Sequence, residues 1–139
     1  MMMPQMKTTN LLITLALAVA GCHKKPAGPS GNVRIESVSE AFVAAGLTPQ
    51  SFAATDARRF NAQRCFAGAV DGLDTVVCEY GSPDALSMGK CAGEAWAASA
   101  GTASVLGNGR ALLAVADRQH SDPNGRVMHK ITQAFQKAR

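Results

Sequence analysis

The chain has 139 residues, 47% of them hydrophobic and 17% charged, which suits one domain with its own core and leaves no room for two. A formal net charge of +4 points to nucleic acid until it is placed along the chain: every acid follows residue 35, and from Val33 onward eleven Lys/Arg face ten Asp/Glu. That near-neutral balance, with no segment mixing clustered cations and aromatics, excludes a nucleic-acid groove.

The first ten residues carry one positive charge, Lys7, and Met1, Met2, Met3 and Met6 are each a candidate start. Residues 11–20 are an apolar run broken only by Thr14. It is about half the ~20 residues a membrane-spanning helix needs, and it has the length of an export-signal core. Val19-Ala20-Gly21-Cys22 closes it: an aliphatic residue, two small ones and a cysteine. This resembles the lipobox of bacterial lipoproteins. The resemblance implies that residues 1–21 are a signal peptide and that the Cys22 thiol takes up diacylglycerol. It also implies a fatty acyl group of the palmitate kind on the new amine. The chain would then be held on the extracytoplasmic face of the plasma or outer membrane. Ala18-Val19-Ala20 also fits ordinary signal cleavage, which would release a soluble chain starting at Gly21.

Residues 22–32 read as a flexible tether rich in Pro, Gly and Ser. Eleven residues reach at most ~36 Å, so the domain stays near the bilayer. Lys24 and Lys25 would contribute about 1 kcal/mol each against anionic headgroups, or simply solvate the linker.

Residues 33–139 form the single globular domain. Ser37-Val38-Ser39-Glu40 has capping-box spacing before a short helix that Gly46 stops. Thr48-Pro49 would cap a further helical turn through Phe52, and residues 56–64 read as loop. Asp71-Gly72 between two β-prone runs predicts a two-residue hairpin turn. If Val70 faces Leu73, then Cys65 faces Cys78 at a non-hydrogen-bonded pair, where side chains approach closest and a disulfide fits. An oxidising envelope agrees with that pairing. Cys91 is left over, as a buried thiol or a reactive one, and composition alone would let it replace either partner.

Ser82-Pro83-Asp84 starts a helix to about Ser99, with Ala85, Met88, Gly89, Ala92 and Trp96 as its buried stripe. Gly89 and Gly93, four apart, suit close packing on a sheet. Residues 102–106 and 111–116 flank Gly107-Asn108-Gly109-Arg110 as a second hairpin, and Asp122-Pro123 opens the last helix. Two ββα units after a short helix predict an α+β fold. The expected form is a two-layer sandwich, an antiparallel sheet with its helices on one face. A ferredoxin-like arrangement with residues 33–35 as a first strand is the alternative.

Chemistry is thin. His23 lies in the tether, and His120 and His129 have no metal-ligand spacing with other residues. Asp117-Arg118 reads as an exposed ion pair; Asp71, Asp74, Glu79 and Asp84 are acids around the first hairpin, of which Asp71 serves the turn and Asp84 the helix start, with a paired-carboxylate hydrolase as the alternative reading. There is no GxSxG, phosphate-binding loop or dinucleotide fingerprint. No catalytic residue, metal or cofactor is assigned; lipidation falls on Cys22 and the disulfide on Cys65 and Cys78. The expected function is a membrane-anchored envelope lipoprotein with a non-catalytic domain that binds a protein or ligand, presenting an apolar groove on an uncovered sheet face. A periplasmic enzyme or thiol-redox protein using Cys91, and a structural envelope component, are the alternatives.

Overall fold

The computed structural model describes residues 33–139, so the signal segment, Cys22 and the tether lie outside the described residues. The chain runs α1 (Ile35–Ala44), β1 (Pro49–Thr55), a 3-10 turn (Ala57–Phe60), β2 (Arg64–Val70), β3 (Leu73–Glu79), α2 (Pro83–Ala97), β4 (Thr102–Asn108), β5 (Ala111–Asp117) and α3 (Arg126–Lys137). One five-stranded sheet in the order β1-β2-β3-β5-β4 pairs antiparallel throughout. The fold is α+β.

The first hairpin forms in the expected register. Val70 faces Leu73, and Cys65 faces Cys78. Asp71 (φ 47°) and Gly72 (φ 87°) both take the left-handed conformation that a two-residue hairpin turn needs. Asp71 holds this strain because its carboxylate accepts the Thr48 N–H at 2.9 Å. The second hairpin turns at Gly109-Arg110, with Asn108 facing Ala111.

The layers differ from the one-sided expectation. α1 and α3 pack together on one face, where Val38, Phe42, Ile131 and Phe135 meet Val70, Leu73, Val77, Leu113 and Val115. α2 and the 3-10 turn cover the other, where Phe60, Tyr80 and Leu86 meet Cys65, Val76, Cys78, Leu112 and Ala114. The sheet therefore lies between helices. The physical reason is legible in β5: Ala111-Leu112-Leu113-Ala114-Val115-Ala116 is apolar without alternation, and every residue of the strand is buried. A strand covered on one face alternates; one covered on both does not.

Other local expectations shift as well. Residues 49–52 form a strand, not a helical turn: Pro49 sits at the first position of edge strand β1, where its missing N–H costs nothing. A register break between Gln50 and Ala53, with Ser51 at φ 52°, bends that edge. α1 begins at Ile35 without a side-chain cap, so Ser37 lies inside the helix and residues 33–35 form no strand. The Ile35 N–H finds its acceptor elsewhere, in Glu79 Oε1 at 2.7 Å. Ser82 does cap α2, accepting the Ala85 N–H at 3.1 Å. Its buried stripe is Leu86, Gly89, Gly93 and Ala97, while Met88 is 55% exposed. Gly93 packs on Val105 and Leu112 of the sheet, and Gly89 packs on the Tyr80 ring.

Candidate functional site

The domain has two ends along the strand direction, and its polar groups sort between them. At one end the β2–β3 turn meets the loop after β5. Asp117 does not form an exposed pair with Arg118. It is buried, and its carboxylate accepts the Ser121 and Asp122 N–H groups, each at 2.9 Å. Those bonds hold the Asp117 carboxyl below its usual range. Asp122 is buried in turn and accepts the Val127 and Met128 N–H groups at 3.1 and 2.9 Å, capping α3 from outside the helix. Arg118 instead donates to Asp74 at 2.9 Å and to the Trp96 carbonyl at 2.6 Å, with its guanidinium 4.2 Å from the Trp96 ring centre.

At the opposite end the chain enters at Val33. Arg64 donates to both Glu36 oxygens, at 2.7 and 2.9 Å, and to both Glu79 oxygens, at 3.0 and 2.8 Å. The fork geometry of the guanidinium suits this double bidentate grip. It lowers the Glu36 carboxyl to about 2 and raises the Arg64 guanidinium further. Beside this network Val33, Arg34, Gln63, Glu79, Tyr80 and Arg110 line a cleft of about 220 Å³. Glu79 is committed to Arg64 and to the helix start, whereas Arg34 and Arg110 hold no ion pair among the described residues. Burial pushes the Tyr80 phenol up to about 12, so at neutral pH it stays a donor, bonded to the Phe60 carbonyl at 2.7 Å. The cleft gathers Arg34, Arg110 and the Gln63 amide around a small volume, beside a Glu79 carboxylate whose charge Arg64 offsets, chemistry suited to a small anion.

A second concavity lies between the two helices on their shared face. Ala41, Ala44, Ala45 and Ala134 line it with Lys130, Gln133 and Lys137, about 500 Å³ in all. Alanines on both helices leave the groove open, and the lysine stems rim it. It lies between helices, not on the bare sheet face where a groove was expected.

The sequence-derived residues fall as follows. Cys65 and Cys78 form a disulfide, with their Cα atoms 4.1 Å apart. Cys22 and His23 lie outside the described residues. Cys91 lies half-buried on α2. His120 is exposed in the loop after β5, and His129 is exposed in the first turn of α3. Among the described residues no three His, Cys, Asp or Glu side chains gather as a metal site would require, and no helix is long and apolar enough to cross a membrane. Sequence reasoning missed Arg34, Arg64 and Arg110, which only the fold brings to one end. No family model, curated protein or solved structure matches this chain.

Proposed function

We propose that this is an envelope lipoprotein: a lipid on Cys22 holds a small non-catalytic binding domain at the extracytoplasmic face of a membrane. The observation that carries the reading is the lipobox-like Val19-Ala20-Gly21-Cys22 upstream of a domain cross-linked by Cys65–Cys78. A disulfide in a domain of this size belongs to an oxidising compartment, and export is what the leader resembles. The binding role rests on the groove between α1 and α3, whose alanine floor and Lys130 and Lys137 rim suit an apolar ligand or protein segment bearing acidic groups.

Intact mass of the membrane-extracted protein beside a Cys22→Ser variant tests the anchor. The expected mass is that of residues 22–139 plus two or three acyl chains, lost in the variant, with a deficit of about 2 Da for the Cys65–Cys78 bond. A soluble chain starting at Gly21, with Cys22 itself oxidised to a disulfide, would overturn the reading.

A further inference from the structure

We infer that the end of the domain at which the chain enters is a docking face for the anionic phosphates of a lipid bilayer. The inference builds on the anchored reading and adds an orientation to it. Three observations place the face. Val33 lines the cleft that also holds Arg34 and Arg110, so the tether leaves the fold there. Asn108, two residues from Arg110, donates to the Phe135 and Ala138 carbonyls at 2.8 and 3.0 Å. That contact brings the C-terminal turn of α3, with the exposed Lys137, to the same end. The Tyr80 hydroxyl bonds Phe60, which brings the 3-10 turn with Arg59 there too.

Charge sorts accordingly. This end gathers seven Lys/Arg, Arg139 included, against Glu36, Asp56, Glu79 and Asp84, and the far end gathers Asp71, Asp74, Asp117 and Asp122 against Arg118 and Arg126. Ion pairs then consume part of the cationic end: Arg64 serves Glu36 and Glu79, and Arg58 serves Asp56. Arg34, Arg59, Arg110 and Lys137 hold no ion pair among the described residues, and all four are exposed. A tether of at most ~36 Å keeps them within reach of the headgroups. A cationic end pointing at an anionic leaflet lowers the free energy, and the acidic far end is repelled from it. The cleft between Arg34 and Arg110 is the place where one phosphate group would sit.

The test is arginine footprinting on the full chain, reconstituted into vesicles of phosphatidylcholine alone or with phosphatidylglycerol. Flotation reports attachment, and phenylglyoxal modification read by mass spectrometry reports the face. The expected result is flotation with both vesicles. Arg34, Arg59 and Arg110 should lose reactivity several-fold only where phosphatidylglycerol is present and recover it at high salt, with Arg126 unchanged. Arg110→Glu with Lys137→Glu, both exposed positions, should abolish the protection of Arg34. Flotation with both vesicles and no differential protection overturns the docking face and leaves the anchor standing. Flotation only with the anionic vesicles, with Arg34 protected, overturns the anchor and keeps the face. Failure to float with either overturns both. Equal protection by soluble polyaspartate would reassign the face to an acidic polymer and overturn the lipid reading.

Discussion

Replacing Gly89 by alanine should destabilise the domain, and the sign should reverse when Tyr80 is absent. A Cβ built on Gly89 stands 2.5 Å from Tyr80 Cε1, and nearer still to the ring carbon and oxygen beyond it. The ring cannot easily withdraw. Tyr80 is 3% exposed, packs with Phe60, Val76, Leu86 and Leu112, and is fixed by its 2.7 Å bond to the Phe60 carbonyl. Overpacking of this kind costs about 1–3 kcal/mol, and straining the buried hydrogen bond adds about 1 kcal/mol. Helix propensity returns about 1 kcal/mol, because alanine suits a helix interior better than glycine. The net loss is about 1–3 kcal/mol. In a Tyr80→Ala background, itself about 3–5 kcal/mol weaker, the obstruction is gone and Gly89→Ala should stabilise by up to ~1 kcal/mol. Urea unfolding followed by circular dichroism, with unchanged m-values, measures all four corners of the cycle. If Gly89→Ala costs the same in both backgrounds, the ring contact is not what selects glycine, and the reasoning fails.

Replacing Cys65 and Cys78 together by serine should lower stability by about 3 kcal/mol, from reopening a loop of about 14 residues; the urea midpoint of oxidised wild type against the double variant checks it. Asp122→Ala should cost about 1–2 kcal/mol, since two α3 N–H groups lose their acceptor, and hydrogen exchange should quicken first at Val127 and Met128. Glu36 titrates at about 2 in the folded chain against 4.5 for the free group. Because the folded value is the lower one, its bond to Arg64 adds stability that is complete above about 4.5 and is lost as pH falls toward about 2. The stability gap between wild type and Glu36→Gln should therefore be open at pH 6 and closed near pH 2. A gap constant across that range would mean that the charge of Glu36 contributes nothing to folding.

What could be read from sequence was local. Asp71-Gly72 set the register of the first hairpin and through it the cysteine pairing, because a two-residue turn leaves one alignment. Ser82-Pro83 marked the start of α2 for an equally local reason. β1 escaped because Pro49-Gln50-Ser51-Phe52 lies at an exposed, bent edge, where no alternation is imposed and Thr48-Pro49 mimics a helix cap. The layer arrangement was present in the unbroken apolar run of β5, yet two similar ββα segments argued for helices side by side. The cleft that holds Arg34 and Arg110 was beyond local reading. Arg34, Gln63, Tyr80 and Arg110 are far apart in the chain and meet only through the order of strands. Asp117 misled for a related reason: its neighbour Arg118 suggested a pair, while its true partners are backbone groups of the next turn.

The placement of α2 has a consequence for how the molecule comes apart. Although α2 follows the first hairpin in the chain, it rests mainly on β4 and β5 of the second, while α1 and α3, from opposite ends of the chain, pack against each other across the other face. The helix of the first half thus covers the strands of the second, and the first half's α1 leans on the second half's α3. A fragment ending after α2 would carry a helix with no surface to lie on, and one beginning at β4 would leave one side of a doubly buried strand bare to water. Two segments that look like a duplicated unit are therefore obliged to fold as one, and unfolding is expected to proceed in a single cooperative step rather than half by half.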